Sequence, residues 1–440
     1  MSTVLGVIVL ARNGDRREFY QDPNTYQPSL TDSTALGMAD LHLLGAQLRS
    51  AYLNPTSSSF ITDISADLAD TQQVKVLAKA GGEGAVVFDS ATALLQGLFP
   101  PTTRNKLRLA NDTVVMAPLG GYQYVPMETV EPGNDRSMES WTGCPAFEKH
   151  IAGFHKSDAF KAKAEDAEPF FRDLKDFVFG RPTTLENIIY DFLNTQLTYN
   201  QTFAFRLPPT YIEQARALAD FHEDGVFSDA HPNGIGNIAG RTLLHTILKS
   251  LERIAFNDDP LQLMLIQTTY QPFISLFHQT DIVSQHPELK AIPNFASALA
   301  IELRRTHGPD ARDFLRFKFK NGTADPEDWQ LLHAFGHHAD IPLTEFIYRA
   351  EGSAVGSNRH WAQVCGVKPS GDGDDVHASR FGGAVPFGLG SVLLLGFFFL
   401  VVLAARVIRA RRDRAYVRVP SDETNKMQPM VEEIKGVSMA

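Results

Sequence analysis

The eight residues VLGVIVLA (Val4–Ala11) carry no charged and no hydrogen-bonding side chain, and they stop abruptly at Arg-Asn-Gly-Asp-Arg. A short apolar run rich in β-branched residues and closed by an Asn-Gly turn fits a strand buried on both faces. Such strands sit inside parallel or mixed sheets covered by helices, so the expected fold class is α/β. The rest of the chain alternates accordingly. Thr34–Leu53 offers Thr34 as a cap and Leu41, Leu44, Leu48 and Tyr52 at helical spacing. Gln73–Ala78 reads as a second strand, followed by the Gly-rich turn AGGEGA (Ala80–Ala85) and a helix, Val86–Phe99. Pro260–Phe277 reads as a strand entering a helix after Pro272, and His307–Thr323 as a strand pair about a turn. Segments 168–180, 185–197, 211–225 and 240–256 read as helices separated by Pro, Gly and Asn breaks. The expectation is a mixed sheet flanked by helices, with a mostly helical inserted cap over about residues 130–240. Functional loops would then lie at the C-terminal ends of the strands, where the Arg-Asn-Gly-Asp-Arg turn falls.

Composition matters most at the C-terminal end. Phe381–Ala405 is 25 residues without a charge, enough for the roughly 30 Å hydrocarbon core of a bilayer. It is followed by Arg406, Arg409, Arg411, Arg412, Arg414 and Arg418, which by the positive-inside rule puts residues 406–440 in the cytoplasm. Stop-transfer anchoring accounts for these arginines without invoking specific lipid binding. The expected organisation is an ectodomain over residues 1–365, a Gly- and Asp-rich stalk over 366–380, one transmembrane helix over 381–405 and a cytoplasmic tail. The body would face a lumen or the cell exterior. No signal peptide is visible, because the first apolar run leads straight into the Arg-rich turn. Sequons at Asn111, Asn200 and Asn321 suit glycosylation of such a body. The two cysteines, Cys144 and Cys365, either form one bridge closing a very long loop or stay as separate buried thiols.

Charge narrows the partners. Of 41 basic and 51 acidic residues the tail 406–440 holds eight and five, leaving 33 and 46 in the remainder. An acidic body argues against duplex nucleic acid, whose phosphates need clustered Lys and Arg. Arg12 and Arg16, four residues apart after a buried strand, can instead place two planar guanidinium forks around one anion. Gly14 between them would let the backbone come close to that ligand. Taken alone, the motif is a weak signal, because Asn-Gly is a common turn and surface Arg/Asp pairs contribute little. His333 and His337 have a zinc-compatible spacing, but Gly336 breaks the helix and no HExxH glutamate is present, so no metal or other cofactor is expected. AGGEGA is not followed by Gly-Lys-Ser/Thr and reads as a turn rather than a phosphate cradle. His278 and Asp281 read as a polar patch at a helix end, and no Gly-x-Ser-x-Gly elbow occurs.

In this order of segments the chain resembles the histidine acid phosphatases, branch 2 of the histidine phosphatase superfamily. Their signature is a strand followed by Arg-His-Gly-x-Arg, and this chain has VLARNGDR in the same frame. The helix Thr34–Leu53, the segment SATALLQGLFPP and the helix GRTLLHTILKSLERI are also similar. The resemblance spans about Val4 to Cys365 and is nearest to membrane-anchored, phosphoglycerate-mutase-like members found in fungi. It implies a phosphomonoesterase fold with Arg12 and Arg16 as phosphate-binding guanidiniums and Asn13 in the place of the nucleophilic histidine. The further family arginine would fall at Leu77, with Lys79 two residues on as a substitute cation. The family's His-Asp pair would fall at Ile266 and Gln267, ahead of Thr268 and Thr269.

These replacements carry chemical consequences. An imidazole nitrogen attacks phosphorus with a free lone pair and can carry the phosphoryl group, whereas the Asn amide lone pair is delocalised into its carbonyl. Gln267 cannot protonate a leaving alkoxide as an aspartic acid would. The expectation is a catalytically degenerate phosphatase that keeps part of its phosphate pocket and binds a phosphate ester or another anion. The alternatives are a phosphomonoesterase with a substitute nucleophile, such as activated water, and a surface protein with no anion site.

Overall fold

The computed structural model describes residues 2–187, 189–256, 259–324 and 329–367. VLGVIVLA lies inside β1 (Ser2–Arg12), followed by α1 (Ala35–Tyr52), β2 (Val74–Lys79) and α2 (Val86–Leu98). A projecting hairpin of β3 (Lys106–Arg108) and β4 (Val114–Met116) and a single turn α3 (Pro118–Gly121) precede β5 (Glu128–Val130). The cap then runs through α4 (Pro145–His155), α5 (Asp158–Leu174), α6 (Tyr190–Tyr199), α7 (Gln201–Arg206) and α8 (Pro209–Val226). The chain returns to the sheet with α9 (Ile238–Phe256), β6 (Leu263–Thr268) and α10 (Gln271–Gln279). It closes with β7 (Ala298–Thr306), β8 (Asp313–Lys320), β9 (Gln330–Leu332), β10 (Ile341–Pro342), α11 (Leu343–Glu351) and α12 (Asn358–Cys365).

The strands form one mixed sheet in the order β10-β8-β7-β1-β6-β2-β5, with β9 paired to β8. β1 runs parallel to β6 and antiparallel to β7, and β6, β2 and β5 are mutually parallel. Period-two alternation sends Val7, Val9 and Ala11 to one face and Ile8 and Leu10 to the other, and each face meets its own core. α1 and α2 cover the first face with Leu41, Leu44, Leu48 and Leu94; α9 and α10 cover the second with Leu243, Ile247, Phe273 and Phe277. That double burial is why β1 reads as a continuous apolar run. Thr34 caps α1 by accepting from the Gly37 amide, which fixes where the helix begins behind the Arg-rich loop.

The strand pair read at 307–323 is displaced. β7 and β8 pair antiparallel, and residues 307–312 connect them. The earlier strand was concealed by Glu302 in its apolar half. Glu302 is fully buried and accepts from Tyr52, with Arg304 and Lys318 as ionic partners. Cys144, just before α4, is bonded to Cys365, the last residue of α12. Gly366 ends α12 with φ of 70°, so the first residues assigned to the stalk belong to a helix end. The remainder of the stalk, the span at 381–405 and the tail at 406–440 lie outside the described residues. Among the described residues no helix is long and apolar enough to cross a membrane.

Candidate anion-binding site

The loop after β1 is clamped on both sides. The Asn13 amide donates to the Thr268 carbonyl at 2.9 Å, and the Arg12 amide to the Ser297 carbonyl at 2.8 Å. Asp15 accepts from Thr34 Oγ1 at 2.6 Å and from the Tyr199 hydroxyl of α6, so one carboxylate ties the loop to α1 and to the cap. A Cβ on Gly14 would strike the Gly37 carbonyl, and a Cβ on Gly37 would strike the Asp15 backbone. Gly14 is therefore required for packing the loop onto α1.

Arg12 and Arg16 line one cavity of about 570 Å³ between the sheet edge and the cap. Arg16 Nη1 donates to Asp191 of α6 at 2.7 Å and to the Arg17 carbonyl at 3.3 Å. Arg12 is different. Its side chain donates to the Pro293 carbonyl, and among the described residues its Nε–H has no hydrogen-bond partner and no carboxylate pairs with it. Its guanidinium lies 4.3 Å from the Phe295 ring centroid and 5.4 Å from that of Tyr270. Phe295 also lies 5.5 Å from the Arg16 guanidinium, so this ring adjoins both cations. Burial first, then the neighbouring Arg16 and Arg216 cations, push the Arg12 guanidinium down to about 9.

The other residues expected at a phosphate site stand apart from this cavity. Asn13 is 3% exposed, donates to the Gly14 carbonyl at 2.8 Å, and faces a small void beside Glu83 and Thr269. Lys79, 2% exposed at the end of β2, is held by Glu83 and Glu139 at 2.5 Å each. With two carboxylates upon it, Lys79 has no net positive charge to offer a phosphate, which removes it as a phosphate ligand. Glu83 arrives on the AGGEGA turn, whose role is thus to return a carboxylate to β2. Leu77 and Ile266 are core residues on adjacent strands. Gln267 is completely buried, and among the described residues neither its amide oxygen nor its nitrogen has a hydrogen-bond partner; the Thr268 and Thr269 hydroxyls are likewise unpaired there.

The cap supplies what local sequence could not reveal. Asp191 from α6 and Arg216 from α8 reach the cavity that Arg12 lines. Arg216 donates to both oxygens of Asp220 at 2.9 and 3.0 Å and to Asn294 at 3.3 Å. Behind them a buried network centres on Glu223, which accepts from Tyr26 at 2.6 Å and Tyr270 at 2.7 Å. His222 Nδ1 lies 3.0 Å from Glu223, and its Nε2 lies 3.1 Å from His155 Nε2. Burial and then Glu223 raise both tyrosines well above 10, so they remain neutral donors. Burial, then His222, lowers His155.

The remaining sequence candidates lie elsewhere. Ala334–Gly336 forms a single tight turn, so His333 and His337 do not share a helix face; His337 bonds Glu345 at 3.0 Å. No group of three or more His, Cys, Asp or Glu side chains arranged to hold a metal occurs among the described residues. His278 contacts Asp224 at 2.6 Å, outside the cavity lining. Among the sequons, Asn111 is exposed beside the β3–β4 turn, Asn200 caps α7 through the Phe203 amide, and Asn321 lines the cavity.

A family model described as the histidine phosphatase superfamily (branch 2) matches residues 13–319. The fold is similar to the phytase of Klebsiella sp. ASR1, at TM-score 0.56 and 13% identity over 82% of this chain and 98% of that one. It is similar also to the Citrobacter braakii phytase, at TM-score 0.54 and 13% identity over 82% and 99% of the two chains. The Hafnia alvei phytase in complex with tartrate gives TM-score 0.53 and 12% identity over 80% and 97%. No curated protein matches the sequence. The parallel strand ends that carry Arg12, Lys79 and Gln267, together with a family model covering most of the described residues, make this chain a member of the histidine phosphatase superfamily, branch 2.

Proposed function

We propose that the protein is a pseudophosphatase: a membrane-anchored member of its superfamily that binds an anion in the former phosphate pocket without transferring phosphoryl groups. The observation that carries this reading is Arg12, 6% exposed, cavity-lining and without a carboxylate partner, next to an Asn13 that cannot attack phosphorus. A buried unpaired guanidinium is costly unless something neutralises it, and the cavity is where that counter-ion enters. Loss of turnover rests further on Lys79, whose charge is consumed by Glu83 and Glu139, and on Gln267, which cannot act as an acid. In this reading residues 381–405 anchor the chain, the body is lumenal or extracellular with glycans at the sequons, and 406–440 is cytoplasmic.

One observation favours residual enzymatic activity. His222 lines the same cavity with Glu223 behind its Nδ1, the pairing of a base and its orienting carboxylate. Its Nε2 is engaged with His155, so use as a nucleophile would require that contact to open.

The two readings separate in one assay. The full chain, purified in mild detergent, is incubated with p-nitrophenyl phosphate from pH 4 to 7.5, beside Arg12→Ala, Asn13→His and His222→Gln. Pseudophosphatase behaviour gives no turnover above the Arg12→Ala background. Wild-type turnover lost in both Arg12→Ala and His222→Gln establishes the enzyme instead. Asn13→His is expected to stay inactive, because Lys79 and Gln267 remain unable to assist.

A further inference from the structure

Resting on the anion site proposed above, we infer that the cavity selects a ligand with one anionic group on an aromatic body, and discriminates against polyanions. Four arginines line it: Arg12, Arg16, Arg181 and Arg216. Three are already neutralised, Arg16 by Asp191 at 2.7 Å, Arg181 by Glu18 at 2.9 Å and Arg216 by Asp220 at 2.9 Å. Only Arg12 among these four lacks a carboxylate, and it is more than nine-tenths buried with an unpartnered Nε–H. The described lining contains no lysine and five carboxylates, those of Glu18, Asp22, Asp40, Glu186 and Asp191. A ligand bearing several phosphates would therefore meet one uncommitted cation and a net negative wall. Replacing the internal partners of the other arginines would exchange one ion pair for another and gain little.

The apolar half of the lining completes the description. Phe295 and Tyr270 flank the Arg12 guanidinium, and Phe19 lies 4.4 Å from that of Arg16. Phe192, Ile189 and Ile292 extend the surface toward the cap. An anion seated on Arg12 thus has rings beside it, where a planar aromatic body can stack, and about 570 Å³ holds a two-ring system. Charge and shape together favour an aryl phosphate over free phosphate.

The test is calorimetric titration of the full chain in detergent with 1-naphthyl phosphate, inorganic phosphate and inositol hexakisphosphate, with product release followed in the same samples. The expected result is naphthyl phosphate binding at least about tenfold tighter than inorganic phosphate, with inositol hexakisphosphate no tighter than inorganic phosphate. Phe295→Ala, at a half-buried ring, should collapse that tenfold ratio to about threefold or less while inorganic phosphate binding persists. Arg12→Met should abolish all of it while keeping a cooperative unfolding transition. Inositol hexakisphosphate as the tightest ligand, or naphthyl phosphate binding no better than phosphate, overturns the ligand class and leaves the anion site standing. Naphthol release would instead overturn the pseudophosphatase reading while supporting the ligand class. Absence of binding by any of the three probes overturns both.

Discussion

Replacing Arg12 with methionine should remove ligand binding at little net cost to the empty protein. Burial and like charges lower the Arg12 pKa to about 9, which corresponds to about 5 kcal/mol of penalty on the charged form in the fold. Methionine keeps the length and apolarity of the stem but carries no charge, so that cost disappears. Against it stand two lost ring contacts, with Phe295 and Tyr270, about 1–2 kcal/mol each at a desolvated site. The charge-assisted bond to the Pro293 carbonyl is lost too, at about 1.5–3 kcal/mol. The balance lies within about 2 kcal/mol of zero. Sign and window agree: a base whose folded pKa is depressed is penalised fully below that pKa, so neutral pH reads the whole effect. Urea unfolding at pH 7 without phosphate should place the variant within about 2 kcal/mol of the wild type, with the slope preserved. Adding phosphate should raise the wild-type midpoint and leave that of Arg12→Met unmoved. A variant destabilised by more than about 3 kcal/mol, the cost of breaking a compensated buried charge, would refute the argument, because it would mean that Arg12 is compensated inside the empty protein.

Other substitutions probe the neighbouring buried groups. Lys79→Met leaves Glu83 and Glu139 buried without a counter-ion and should cost about 3–5 kcal/mol in urea unfolding; adding Glu83→Gln and Glu139→Gln should recover most of it. Glu223→Gln presents an amide donor where two tyrosines and a histidine converge, and a loss of about 1–3 kcal/mol is expected; less than about 0.5 would show that the network bears no structural load. His155, lowered by burial and by His222, binds its proton more weakly folded than unfolded, so stability should fall as pH drops below about 6.5. His155→Gln should flatten that limb of the pH–stability profile, and an unchanged limb would assign it to other groups.

Much of the sheet was legible because its determinants are local. VLGVIVLA announces a strand covered on both sides, and Thr34 with the Leu41–Leu44–Leu48 stripe announces α1. β7 was not legible, since its buried Glu302 is tolerated only through Tyr52, Arg304 and Lys318, the first of which is 250 positions away. The candidate site divides in the same manner. Arg12 and Arg16 are visible as a pair because they share one loop. What distinguishes them is not, because Asp191, which neutralises Arg16, lies 175 positions further along the chain. Lys79 looked available for the same reason: its turn partner Glu83 is four residues away, but Glu139 comes from the start of the cap. Local sequence gives the charge; only the fold shows whether it is spent.

The bridge between Cys144 and Cys365 turns everything from the start of the cap to the end of α12 into one closed covalent ring. A single protease cut anywhere between these residues opens the ring without freeing a fragment, so a nicked molecule keeps its mass until it is reduced. The ring also redirects force. Tension applied along the chain beyond residue 365 reaches Cys365 and passes across the sulfurs to Cys144, at the foot of the cap. The chain could be pulled from its C-terminal side without first peeling β7, β8 and α11 from the sheet; α6 and α8, which carry Asp191 and Arg216, lie inside the same ring and are spared, and the load passes to the segment before Cys144 that leads back to β5.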